Sequence, residues 1–121
     1  MNIRELLAVA TLAVASATTS TAQAHAKLEA SEPKAGSVVE RAPKEIRLQF
    51  NEPLELPFSK VKLLDQKNLV IEPSRIDLDK ADPKVMIATL PQLQAGPYRI
   101  QWTTVTRDGH KVKGELGFKV K

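Results

Sequence analysis

The chain contains no cysteine. No disulfide can staple it, and no thiolate can ligate a metal. Methionine is nearly as scarce: of the two present, one is Met1 and the other Met86. A cluster of thioethers, the donors that select soft ions, cannot be assembled from them. Aromatic residues make up 4% of the chain and are not interleaved with a basic block. The 18 Lys and Arg are scattered among 14 Asp and Glu: Lys27 stands near Glu29, Lys44 beside Glu45, Lys80 between Asp79 and Asp82. That distribution reads as a solvated surface and argues against nucleic acid as a partner. Long hydrophobic runs are also missing. The one apolar run, residues 6–15, is too short to span a bilayer.

What is present begins with an export signal. Arg4 supplies a positive start, weakened by Glu5; the apolar run follows; residues 16–23 are small and polar; Ala22-x-Ala24 fits the small-residue cleavage rule. Cleavage after Ala24 is expected, which makes residues 1–24 a signal peptide and leaves 97 of the 121 residues. Arg4 and Glu5 cancel, so the formal net charge of +4 is unchanged. The remaining segment, 25–121, has the size of one domain, with no internal repeat and no linker. It is expected outside the inner membrane, in the periplasm, and not spanning the membrane after cleavage.

Period-two patterning dominates that segment. Leu28 and Ala30 alternate with Lys27 and Glu29; Ile46, Leu48 and Phe50 with Glu45, Arg47 and Gln49; Val61 and Leu63 with Lys60 and Lys62. Residues 69–71, Ile76 with Leu78, and residues 85–90 read as further strands. Tyr98, Ile100 and Trp102 share one face, and Leu116, Phe118 and Val120 form the last strand. Turns are expected at 33–37, 51–53, 65–68 and 93–97, with an irregular connection over 54–58. Eight prolines and five glycines argue against long helices. About seven closely spaced strands predict an all-β protein, a two-sheet antiparallel sandwich. Trp102 and Met86 are expected in its core.

Candidate chemistry rests on two histidines, His25 and His110, which are all the chain has. Cleavage after Ala24 makes His25 the first residue. Its α-amine and imidazole Nδ1 can then close a chelate ring on one metal ion, which an internal histidine cannot do. Asp108 and His110 flank Gly109, and in an extended segment their side chains project to the same side. Taken singly, each has an ordinary reading: an exposed turn histidine, and a residue that follows a cleavage site. Together they offer three nitrogens and one carboxylate oxygen. Such tetragonal N,O sets suit Cu(II); Zn(II) prefers a tetrahedron and stands below Cu(II) in affinity at the same ligands.

The stretches His25-Ala26-Lys27-Leu28, Pro33-Lys34-Ala35-Gly36-Ser37, residues 46–52, Tyr98-Arg99-Ile100-Gln101-Trp102, residues 108–114 and Phe118-Lys119-Val120 together resemble the copper resistance protein C (CopC) family. The resemblance covers nearly all of the segment after cleavage. It implies an immunoglobulin-like, seven-stranded Greek-key β-sandwich binding one Cu(II) per chain, with ligands falling on His25, Asp108 and His110 and an acid near the metal on Glu52. Glu52 also fits a solvated strand-end acid. The resemblance further implies a periplasmic copper-binding protein, not an enzyme, serving copper resistance, homeostasis or transport. An inner-membrane CopD-like copper protein is the implied partner, and a monomer is expected. Founding members carry a methionine-rich Cu(I) site; with Met86 alone after cleavage, this chain reads as a Cu(II)-only type.

Two other functions share parts of this pattern. A small copper-brace oxidative enzyme would resemble lytic polysaccharide monooxygenases in its N-terminal histidine chelate. The small domain, the lack of a flat aromatic face and a coordinating aspartate in the position that oxygen needs argue against it. A metal-free exported sandwich acting as an interaction module would leave the placing of both histidines unexplained.

Overall fold

A computed structural model describes residues 27–121, so the expected signal peptide and His25 lie outside the described residues. Among the described residues nine strands form two sheets. The first sheet holds β1 (Leu28–Glu32), β3 (Glu45–Phe50), β7 (Val85–Thr89) and β6 (Arg75–Leu78), in that order. The second holds β2 (Val38–Val39), β9 (Lys111–Val120), β8 (Gly96–Val105), β4 (Lys60–Leu64) and β5 (Val70–Ile71). Among the described residues no helix is long and apolar enough to cross a membrane.

The alternation seen in the sequence is what closes the two sheets on each other. Ile46, Leu48 and Phe50 are fully buried from one sheet; Tyr98, Ile100, Trp102, Leu116, Phe118 and Val120 meet them from the other. Each such side chain contributes roughly 1.5–3 kcal/mol when taken out of water. Phe50 and Trp102 touch edge to face across the core, 6.3 Å between centroids. Met86 is fully buried in the same cluster, as expected. The Trp102 indole lies over Gly114, its partner on β9: a Cβ there would stand 2.4 Å from the ring. Only glycine admits that approach.

Several elements differ from expectation. Nine strands form where about seven were expected, two of them only two residues long. The short β2 pairs with β9 in parallel, so the second sheet is mixed. A 3-10 turn, Leu56–Phe58, lies within the connection read as irregular. The last strand starts at Lys111, five residues before the stretch that announced it. Likewise β8 starts at Gly96, inside the expected turn. Their ten-residue antiparallel ladder runs from Gly96 opposite Val120 to Val105 opposite Lys111. The long hairpin carries residues 106–110 to one end of the sandwich.

Candidate metal centre

The tip of the β8–β9 hairpin is a three-residue loop. The Thr106 N–H donates to the His110 carbonyl at 2.9 Å, and the Gly109 N–H to the Thr106 carbonyl at 2.9 Å. Such loops close through a residue in the left-handed region, and Gly109 supplies it at φ +89°. Asp108 and His110 therefore sit on a turn, not on the extended segment expected from their spacing. They meet nonetheless: His110 Nδ1 and Asp108 Oδ2 are 3.0 Å apart. It is the reversal of the chain at Gly109, rather than strand alternation, that aims the imidazole at the carboxylate.

Thr106 underpins the pair. It is 1% exposed and bridged to Leu54, which is equally buried. Its Oγ1 donates to Asp108 Oδ1 and accepts the His110 N–H at 3.2 Å. The Asp108 carboxyl is held below the usual carboxylate range, chiefly by the Thr106 hydroxyl; partial desolvation opposes this, and His110 adds to it. An ionised carboxylate only accepts, so the shared hydrogen of the pair resides on Nδ1. An ion that takes both Oδ2 and Nδ1 would displace that hydrogen. Both side chains remain about half exposed, 52% for Asp108 and 47% for His110. They are open to an ion arriving from solvent.

A second strap brings the start of the described chain to the same end. The Lys27 N–H donates to Asn51 Oδ1 at 2.8 Å, and the Asn51 N–H returns to the Lys27 carbonyl at 3.2 Å. Two residues on, the Pro53 carbonyl accepts the Arg107 N–H at 3.3 Å, while the Glu55 N–H donates to the Val105 carbonyl at 2.8 Å. Lys27 is thus tied through residues 51–55 to the loop that carries Asp108. Glu52 stands on this strap, half-buried. Among the described residues no three His, Asp or Glu gather as a metal-holding group. Asp108 and His110 form a pair, and Glu52 does not complete a triad with them. Thr106 and Asn51 were not singled out from the sequence. The Thr two residues before Asp108 was the available sign, because short hydroxyls bond backbone and side chains two residues on. No local sign marks Asn51, whose partner is 24 positions away. A surface groove lined by Lys60, Lys62, Gln101 and Lys113 among others includes neither Asp108 nor His110. An ion needs only convergent donors, not a cavity of ligand size.

The chain belongs to the CopC domain family, which matches residues 28–121. It is 36% identical over 121 residues to Protein YobA of Escherichia coli K12, covering 99% of this chain and 95% of that protein. It is 40% identical over 106 residues to Copper resistance protein C of Pseudomonas syringae pv. tomato, covering 83% of each. Among solved structures it is similar to PcoC from Escherichia coli, described as a methionine-rich copper resistance protein. That likeness has a TM-score of 0.70 at 35% identity and covers 81% of this chain and all of that one. The all-β sandwich and the family expected from the sequence are both found.

Proposed function

We propose that the chain, once cleaved after Ala24, is a periplasmic protein that binds one Cu(II) through the His25 α-amine and imidazole, Asp108 and His110. The observation that carries this is the Asp108–His110 pair: an imidazole and an ionised carboxylate 3.0 Å apart, half exposed, on a tip tied through residues 51–55 to Lys27. Lys27 is two residues after His25, and two residues span at most about 7 Å when extended. The Lys27–Asn51 clamp fixes Lys27 itself at that end. The donor set is nitrogen and oxygen, which suits Cu(II). The relatives' copper names support the ion.

Cu(I) is not the cargo in this reading. PcoC is called methionine rich, whereas the methionine left here after cleavage, Met86, is fully buried in the core and cannot reach an ion. The protein acts without catalysis, as a monomeric carrier or store in copper resistance, homeostasis or transport. An inner-membrane CopD-like protein is the partner that the family suggests. Glu52 lies outside the ligand set.

The test is direct. Protein beginning at His25 is compared with protein carrying one Gly ahead of it, by Cu(II) titration against a competing chelator and by spin resonance. Both fold alike, since the change is at a chain end. The first binds one Cu(II) much more tightly and shows one more nitrogen ligand. Equal affinities would remove the amine, and with it the site as drawn.

A further inference from the structure

The hydroxyl of Thr106 is buried beneath the Asp108–His110 pair and bonds to both of its members. A threonine hydroxyl has one hydrogen to give and two lone pairs. The ionised Asp108 cannot donate, so the hydrogen goes to Asp108 Oδ1. The His110 carbonyl, 3.4 Å from Oγ1, already accepts the N–H of Thr106 at 2.9 Å and competes poorly for it. The oxygen then receives the His110 N–H at 3.2 Å. One atom thereby turns the carboxylate and fixes the backbone of the imidazole-bearing residue.

We propose that Thr106 is a positioning residue of the metal centre, holding Asp108 Oδ2 and His110 Nδ1 face to face before any ion arrives. This rests on reading the pair as Cu(II) ligands. Packing alone does not ask for threonine here. The position is buried against Leu54, and valine has the same branched shape and an equal liking for strands. Burying a hydroxyl is unfavourable unless it is bonded. The bonds that offset that cost run to the two residues of the pair. Partners of this kind, one step behind the ligands, typically change metal affinity about 10–100-fold.

The experiment uses protein beginning at His25, with Thr106→Val and Thr106→Ser, and Thr106→Ala as a second deletion of the hydroxyl. Three quantities are read: Cu(II) affinity by chelator competition, the Cu(II) spin-resonance spectrum, and nuclear magnetic resonance of the metal-free protein at the Asp108 carboxyl carbon and the His110 amide. The valine and alanine variants lose about tenfold in affinity and show an altered Cu(II) spectrum. In the metal-free state their Asp108 carboxyl signal moves and their His110 amide exchanges faster. The serine variant, which keeps the hydroxyl, restores all three towards wild type. Valine matching wild type in all three would overturn the proposal. So would serine losing affinity as fully as valine, which would mean that only packing matters. If wild-type protein itself fails to bind Cu(II), the ligand reading falls. The metal-free signals then decide positioning alone, and an unchanged pair in the valine variant refutes it.

Discussion

Two hairpin turns of this protein share one backbone plan and differ in what they do. Residues 65–69 join β4 to β5, and residues 106–110 join β8 to β9. In the first, the Asp65 N–H bonds the Leu69 carbonyl at 3.1 Å and the Asn68 N–H bonds the Asp65 carbonyl at 2.9 Å. In the second, Thr106, His110 and Gly109 take the same parts at 2.9 Å each. The fourth residue is left-handed in both, Asn68 at φ +62° and Gly109 at φ +89°. The opening residue differs. Asp65 spends its carboxylate on the turn itself, accepting the Lys67 and Leu69 N–H groups at 2.8 and 2.9 Å. At the other tip Thr106 accepts the equivalent N–H, that of His110. The carboxylate of that turn is moved two positions on, to Asp108, where it faces a histidine. One aspartate is used up by the backbone; the other is kept ionised and presented to solvent.

The largest break in this comparison is removal of the proposed ligands. His110→Ala abolishes most Cu(II) affinity by taking away an imidazole. Asp108→Asn weakens it less, because the other nitrogen donors remain. Chelator competition ranks the two, and equal or reversed losses would reassign the fourth ligand. Both variants keep the fold, since the core is built from Ile46, Phe50, Ile100, Trp102 and Phe118.

Smaller is the effect of the left-handed residue. Gly109→Ala places a Cβ at φ +89°, costing roughly 1–2 kcal/mol. For a domain of this size that lowers Tm by about 4–8 °C per kcal/mol. Asn68 already carries a Cβ at positive φ, so Asn68→Ala lowers Tm by less. Equal shifts would show that the two turns are not strained alike. The smallest effect comes from Asp65→Ala, which removes the acceptor of the Lys67 and Leu69 N–H groups at an exposed turn and costs about 1 kcal/mol by thermal unfolding. Its Cu(II) affinity stays at the wild-type value. A fall would mean that the turns communicate.

Much of the fold was legible because burial in a sandwich leaves a period-two trace. Residues 45–50, 60–64 and 98–102 carry it plainly, and each became a strand. The two-residue strand β2 is too short to show a period, whereas β5 falls within the strand expected over 69–71. The first half of β9 hid for another reason. Gly114 stands where an apolar residue would have marked the buried face, and the Trp102 indole fills that space instead. The spacing of Asp108 and His110 predicts their meeting, but by a different route from the one the structure takes. Side-chain alternation would have aligned them along a strand; a left-handed glycine does it at a turn.

By itself, the sequence settled what the donors could be. The lack of cysteine and the scarcity of methionine rule out a sulfur site, the two histidines and Asp108 are the candidate nitrogen and oxygen donors, and the alternation demands two facing sheets. These are local or compositional properties, readable residue by residue. The tertiary structure alone decided how Asp108 and His110 are held. That Asn51 clamps Lys27 across 24 positions, that Pro53 straps Arg107, and that Thr106 lies buried under the pair all depend on register between distant strands. Register is a property of the packed sheets as a whole, set by which faces bury together, and no short stretch of chain contains it.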